Sequence, residues 1–222
     1  MSDVLVSAKG LTKDFGAVTA IAEATFEVGA TDMIALVGPS GSGKSTLLHL
    51  IAAIDRPTEG LIEWPALGGP EALRPGPVSI AFQGPSLLPP LTVAENIALP
   101  VLLAGGGEHE AASAAGPLME RLGLTDIADK LPEEISGGQA QRAGLARALA
   151  GRPRLILADE PTGQLDSTTA AGLMAALLDQ VNATGAALIV ATHDVAVARR
   201  LPLCWQLSDG RLQTGAELSC SS

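Results

Sequence analysis

Residues 38–45 read GPSGSGKS, a spacing of glycines, hydroxyls and one lysine that suits phosphate binding. Glycines let a backbone wrap around phosphates with its N–H groups directed inward. Lys44 would reach the terminal phosphates of a nucleotide, and the Ser45 hydroxyl would ligate Mg²⁺. The residues predicted to contact the nucleotide here are Gly38, Pro39, Ser40, Gly41, Ser42, Gly43, Lys44, Ser45 and Thr46. A Gly/Ser-rich loop that matches the spacing by chance is the alternative.

The segments on either side of this loop favour the phosphate-binding interpretation. The apolar run MIALV at 33–37 predicts a buried parallel strand before it, and residues 46–54 predict a helix after it. A helix that begins at the loop presents the positive end of its dipole to the same charge. GxxxxGK[ST] between a strand and a helix is the context that the motif requires.

A second apolar run, LILADE at 155–160, ends in two adjacent carboxylates. Ligands of open parallel sheets bind just beyond such strand ends. Asp159 would hold Mg²⁺ through water, and Glu160 would polarise a water that attacks the phosphate. Alone this run is equally well a capped strand; together with the phosphate loop it predicts nucleotide hydrolysis.

The segment ISGGQ at 135–139 places two glycines in the first turn of a predicted helix, behind the N-cap residue Ser136. Glycines weaken a helix at this position. Their presence makes sense where a bare helix N-terminus must closely approach a phosphate. An ordinary glycine-containing turn before a helix is the alternative.

The elements that position these residues alternate between strands and helices, which predicts an α/β fold with a mostly parallel sheet. Two strands, at 4–10 and 17–27, predict an antiparallel start, and a hairpin around Asp209-Gly210 predicts an antiparallel end. No central strand is predicted within 92–151. We therefore expect one domain with a core and antiparallel β subdomain over about 1–91 and 152–215, a helical subdomain over about 92–151, and a loose tail at 216–222.

Composition narrows the function classes further. The chain has 222 residues, 47% hydrophobic, and a formal net charge of −10, which argues against nucleic-acid binding. No apolar run approaches the roughly 20 residues of a membrane span, and MSDVLVSAKG lacks the features of a secretion signal. A cytoplasmic location is expected. Cys204 and Cys220 are expected to be reduced thiols, because no CxxC or Cys/His spacing supports another role.

ISGGQ resembles the signature motif of ABC ATPases, and it lies in the usual order between the phosphate loop and Asp159-Glu160. The resemblance covers almost the whole chain. It implies that Gln83 is the Q-loop glutamine and that GQLD at 163–166 is the D-loop crossing a dimer interface. It further implies that His193 contacts the γ-phosphate and that Phe15 stacks on adenine, although burial of Phe15 against the antiparallel strands is a competing interpretation.

From the resemblance we expect Mg-ATP hydrolysis at a site shared by two copies of the chain. The residues given a catalytic role are Glu160, His193, Gln83 and Lys44. The expected metal ligands are Ser45, Gln83 and Asp159. Ser136, Gly137, Gly138, Gln139 and Asp166 are expected to act on the nucleotide of the second copy.

The resemblance also implies an integral membrane permease as a partner, which places the ATPase peripherally on the inner face of the cell membrane. The apolar stretch LLPPL at 87–91 is either core or, if exposed, a groove for a permease helix. This stretch and ADEPTGQLDS resemble the branch of lipoprotein-release, macrolide-export and cell-division ATPases, so export or mechanotransmission is expected. The motor of an importer, or a soluble ABC ATPase without transport, are the alternatives.

Overall fold

The computed structural model describes residues 4–84, 86–163 and 165–215, and these form two sheets with six α-helices. The strands are β1 (Val4–Phe15), β2 (Val18–Gly29), β3 (Met33–Val37), β4 (Glu59–Glu63), β5 (Val78–Ala81), β6 (Leu155–Asp159), β7 (Ala187–Thr192), β8 (Leu203–Ser208) and β9 (Arg211–Gly215). The helices are α1 (Lys44–Ile51), α2 (Val93–Leu103), α3 (Glu108–Arg121), α4 (Gly137–Ala150), α5 (Ser167–Thr184) and α6 (Val195–Ala198).

The larger sheet has the strand order β5-β6-β7-β3-β8-β9. All neighbouring pairs in it are parallel except β8 with β9, which form an antiparallel hairpin. Every residue of β6 and β7 is buried, as expected for parallel strands covered on both faces. The carboxyl ends of these strands therefore open onto one edge of the sheet, where a ligand can bind.

The smaller sheet is antiparallel and has the order β2-β1-β4. Both β1 and β2 span 12 residues, so they extend beyond the strands predicted at 4–10 and 17–27. β1 is longer because it remains paired with β2 up to Phe15 and Val18, on either side of a turn in which Gly16 has a φ of 63°. β2 is longer at its other end, where Gly29 pairs with Val4. This hairpin end carries Phe15 towards the phosphate loop.

The helices α2, α3 and α4 follow β5 and precede β6, within the stretch predicted to be helical. The first of them begins with a capping box between Thr92 and Glu95. The Asn96 side chain is fully buried, where it accepts from Leu88 N and donates to the carbonyls of Leu88, Leu91 and Thr92. Asn96 therefore fixes the loop that leads into α2.

The α/β class, the antiparallel start and the terminal hairpin are confirmed, with element ends that differ by a few residues. Helix α1 begins at Lys44, because the phosphate loop itself turns directly into the helix. The expectation of a reduced thiol is wrong for Cys204, which is disulfide-bonded; Cys220 and the predicted loose tail at 216–222 lie outside the described residues. In the described part of the chain, no helix is both long and apolar enough to cross a membrane.

Candidate functional site

The phosphate loop connects β3 to α1 and is shaped by contacts that only glycine permits. Gly43 has a φ of 104°, and a Cβ atom there would overlap the Ala20 carbonyl oxygen of β2. A Cβ atom on Gly38 would overlap the Leu207 carbonyl oxygen of β8. The neighbouring strands therefore close around the loop, and the sequence motif serves packing as well as phosphate binding.

Helix α1 offers its N-terminus to a ligand. Its N-cap, Gly43, has no side chain to accept from the first-turn N–H groups, which leaves a positive dipole end open to an anion. Lys44 is buried, and its Nζ donates to the carbonyl oxygens of Gly38 and Pro39, at 2.8 and 3.0 Å. Two carbonyls of the loop's own backbone thus hold the ammonium group in place.

Two buried carboxylates face this loop from the end of β6. Asp159 Oδ1 is buried and accepts no hydrogen bond from any described residue. Glu160 has a φ of 47°, which is rare for a residue with a side chain. Its N–H donates to Ala191 O at 2.9 Å, and its Oε1 lies 2.9 Å from His193 Nδ1. With this backbone conformation, the Glu160 side chain is directed towards His193.

A cavity of about 530 Å³ brings most of the predicted site residues together. Its size is within the range of small-molecule sites. The residues that line it are Phe15, Ala20, Ser40, Gly41, Gly43, Lys44, Ser45, Thr46, Gln83, Asp159, Glu160 and His193. Gly38, Pro39 and Ser42 belong to the loop but do not line the cavity; Gly38 and Pro39 contribute the carbonyls that hold Lys44.

The cavity is open to solvent at two of its aromatic side chains. Phe15 is 53% exposed, so it is not buried against the antiparallel strands. The His193 side chain is 70% exposed although its partner Glu160 is buried. Rings that are exposed at the rim of the cavity can contact a ligand without a conformational change that uncovers them.

The signature segment lies outside this cavity. Ser136 caps α4, accepting from Gln139 N, while the Gln139 side chain accepts from Ser136 N at 2.8 Å. Gly137 begins the helix, and a Cβ atom on Gly138 would come within 3.1 Å of the Leu165 side chain. The sequence thus correctly places a helix N-terminus at Ser136, and the chain does not bring it to its own phosphate loop.

Asp166 also lies outside the cavity, where it caps α5. Its carboxylate accepts from Thr168 N, Thr169 N and the Thr169 hydroxyl. The Thr169 hydroxyl bond is the main cause that holds the pKa of Asp166 below its usual range. Gln164, in the same predicted loop, lies outside the described residues.

Sequence reasoning missed the contacts of two α4 residues, one with the site itself and one with the segment that follows Gln83. Gln141 is buried and donates to the Glu160 carbonyl at 3.3 Å. Arg147 donates to the Ser86 carbonyl at 2.8 Å, which ties α4 to the segment that follows Gln83, and burial lowers the pKa of Arg147. Neither contact could be inferred from local spacing, because each joins residues far apart in the chain.

Comparison with known proteins supports the prediction made from the signature motif. The profile of the ABC transporter family matches residues 21–163, which is more than half of the chain. The chain belongs to the ABC transporter family. It is an ATPase of this family, as the sequence predicted.

Its relatives include the lipoprotein-releasing system ATP-binding protein LolD 2 of Caulobacter vibrioides, which is 37% identical over 96% of this chain and 98% of the relative. The corresponding LolD protein of Cereibacter sphaeroides is 40% identical over 96% of this chain and its own full length. These names match the branch predicted from the sequence.

Solved structures agree with the family and the fold. A dimeric structure of the ABC transporter cassette MJ0796 superposes with a TM-score of 0.86 at 33% identity, over 94% of this chain and 98% of that one. A dimeric structure of MJ0796 in a post-hydrolysis state, bound to ADP and Pi, superposes with a TM-score of 0.85 at 32% identity over the same shares.

A second cavity, of about 730 Å³, lies between β5, the end of α2 and the end of α4. We call it the α2–α4 groove. Among its lining residues are Leu88, Leu99, Pro100, Leu103 and Arg147. Leu87 is buried and Leu88 is 44% exposed, so the predicted stretch 87–91 contributes both to the core and to an open groove.

Proposed function

We propose that this ABC ATPase binds Mg-ATP between two copies of the chain and passes the effect of hydrolysis to a membrane permease. One observation carries the proposal. The cavity is lined by most of the phosphate loop and by Asp159, Glu160 and His193, whereas the signature N-terminus at Ser136 lies outside it. A site of this kind is half complete, and a second copy has the missing half.

Within one chain, the residues have distinct parts in hydrolysis. Lys44 and the N–H groups at the start of α1 bind the β- and γ-phosphates. The Glu160 carboxylate accepts a hydrogen bond from the attacking water and so orients this water towards the γ-phosphorus. His193 lies next to Glu160 at the exposed rim, where it can donate to the γ-phosphate. Gln83 lines the same cavity. Its contact with the nucleotide would change on hydrolysis, and this change would move the segment that follows it.

The described side chains fit a magnesium ion. Mg²⁺ prefers oxygen ligands and keeps several waters. The buried Asp159 Oδ1, which accepts no hydrogen bond from the described residues, would hold the ion through water, with the Ser45 hydroxyl and the Gln83 amide oxygen in the same cavity. The bound ion would neutralise charge that develops on the phosphates.

The second copy would supply the remaining contacts to the γ-phosphate. Ser136 and the N–H groups of Gly137 and Gly138 would bind it from the side opposite the phosphate loop, with Gln139 and Asp166 positioned near the interface as helix caps. Closure of the two copies excludes water and strengthens these electrostatic contacts. ATP thereby holds the dimer together, and hydrolysis releases it.

Coupling to a permease is supported by the α2–α4 groove. It has apolar side chains open to solvent, and Arg147 joins its wall to Ser86, three residues after Gln83. A permease helix bound in this groove would therefore be displaced when the segment after Gln83 moves in response to ATP binding or hydrolysis. We propose one domain with a core and β subdomain, about 1–91 and 152–215, and a helical subdomain over about 92–151, attached peripherally to the inner face of the membrane through the permease.

The relatives named for lipoprotein release favour mechanotransmission or export over import. An importer motor would use the same ATP site, and a soluble ABC ATPase without transport would lack a permease. Purification from membranes followed by mass spectrometry distinguishes the three. A permease with a large outer domain supports the proposal, a solute-binding protein indicates import, and recovery without any membrane protein indicates the soluble class.

The shared site is tested with Glu160→Gln, which preserves the shape of the side chain but removes the carboxylate. We expect this variant to form an ATP-bound dimer on size exclusion with little turnover, because binding proceeds and hydrolysis does not. Lys44→Ala is the matched control, since it should bind no ATP and remain monomeric. A Glu160→Gln variant that stays monomeric with saturating ATP would contradict the two-copy site.

A further inference from the structure

A cation lies beside the exposed ring of Phe15. Lys13, two residues earlier on β1, has its Nζ 4.9 Å from the centroid of that ring. An ammonium within about 6 Å of a ring centroid is attracted by the negative face of the ring. The Lys13 side chain is 13% exposed, whereas Phe15 is 53% exposed and lines the ATP cavity. The ring is thus held by the lysine and remains open to a ligand.

Lys13 is itself anchored from another part of the chain. Its Nζ donates to Asp55 Oδ1 at 2.7 Å and to the Arg56 carbonyl at 2.8 Å. The same Asp55 oxygen accepts from Arg56 N at 2.7 Å. The hydrogen bond from Lys13 is the main reason that the pKa of Asp55 lies below its usual range, so the carboxylate stays charged at neutral pH.

Backbone contacts reinforce the same junction. Asp14 N donates to the Thr58 hydroxyl at 2.9 Å, and Thr58 N donates to the Thr12 carbonyl at 2.8 Å. The loop that contains Asp55 and Thr58 directly follows α1, whose N-terminus forms part of the phosphate loop. One short helix therefore connects the residues that hold the ring to the residues that hold the phosphates.

We propose that Lys13 is a positioning residue for recognition of the nucleotide base. It fixes the Phe15 ring at a constant distance from the phosphate loop, so that a purine can stack on the ring while its triphosphate lies against α1. An exposed phenylalanine without this restraint would lose side-chain entropy each time it bound a base. The inference rests on the proposed role of Phe15 in the ATP site, and it adds Lys13 and its anchor Asp55 to that site.

The proposal is tested by calorimetric titration of the full chain with ATP and, separately, with inorganic tripolyphosphate, which has no base. Lys13→Met should weaken ATP binding about threefold to tenfold and leave tripolyphosphate binding unchanged. Lys13→Arg should bind ATP with about the affinity of the wild type, because arginine keeps both the positive charge and the hydrogen-bond donors. Lys9→Met is the matched control, since Lys9 is an exposed lysine on the same strand, and it should bind both ligands as the wild type does.

A double-mutant cycle with Phe15→Ala separates positioning from a direct contact to the ligand. If Lys13 acts through the ring, Lys13→Met should have little further effect on ATP affinity in the Phe15→Ala background. An equal effect in both backgrounds, or no effect of Lys13→Met alone, would overturn the role of Lys13. Loss of tripolyphosphate binding would do the same, since it would indicate damage to the phosphate loop. If Phe15→Ala itself leaves ATP affinity unchanged, the stacking role of Phe15 fails instead.

Discussion

The substitution Gly43→Ala probes how tightly the phosphate loop is held by the strands around it. An alanine there must adopt a φ of 104°, a conformation that costs a residue with a side chain about 1–3 kcal/mol. Its Cβ would also overlap the Ala20 carbonyl oxygen. The position of a Cβ is fixed by the backbone of its own residue, and the carbonyl is part of the backbone of β2, so β2 or the loop must shift. Overpacking of this kind costs about 1–3 kcal/mol more. We therefore expect a loss of about 2–6 kcal/mol in the free energy of unfolding.

For a chain of this size, such a loss corresponds to a decrease in Tm of roughly 5–20 °C. The measurement is thermal unfolding of the nucleotide-free protein by circular dichroism, so that ligand binding does not contribute. Gly41→Ala is the matched control: Gly41 also has a positive φ, 78°, but apart from its chain neighbours no described atom lies within 4 Å of the added Cβ. The free energy of unfolding of this variant should fall only by the cost of the positive φ, about 1–3 kcal/mol. Equal Tm values for the two variants would refute the argument that β2 constrains the loop.

Three further substitutions test other parts of the structure. Gly172→Ala in α5 should stabilise the protein by about 0.5–1 kcal/mol, because alanine favours a helix and, apart from the chain neighbours and the backbone of the same helix, the added Cβ meets no described atom within 4 Å. Unchanged urea unfolding would contradict this. Asn96→Ala should cost about 2–4 kcal/mol in the same assay, because it removes the four hydrogen bonds with which this buried side chain holds the backbone at Leu88, Leu91 and Thr92. A loss below about 1 kcal/mol would show that water replaces the side chain. Asp166→Ala should lower the Tm at neutral pH by removing the cap of α5. Because the folded pKa of Asp166 is depressed, its contribution is present above the unfolded pKa of about 3.9 and is lost as pH falls through the lower folded value, so the Tm difference should narrow below about pH 4.

Much of the fold was predictable because its elements have strong local signals. The runs that form β3, β6 and β7 are continuous and apolar, which is typical of parallel strands buried on both faces. Ser136 and Thr92 begin helices with the capping residues that such positions favour. The phosphate loop and the pair Asp159-Glu160 were predictable for the same reason. Each is a short continuous segment, so its residue types and their spacing are visible in the sequence without knowledge of the fold.

The parts that could not be predicted depend on contacts between distant segments. The Lys13 anchor joins β1 to the loop after α1, and Gln141 reaches Glu160 from another helix. Neither the periodicity of apolar residues nor the spacing of a motif indicates which distant residues come into contact. The exposure of Phe15 is another example, because a phenylalanine at the end of a strand is as compatible with burial as with an open rim.

The backbone of Glu160 suggests what would follow if the protein were selected for folding alone. A φ of 47° is a conformation that glycine adopts freely and glutamate does not. Replacement by glycine would relax the end of β6 and remove the group assigned to the attacking water. In a library sorted only for thermal tolerance or expression, inactive chains altered at this codon should therefore accumulate, and only a screen that demands turnover would retain the acid.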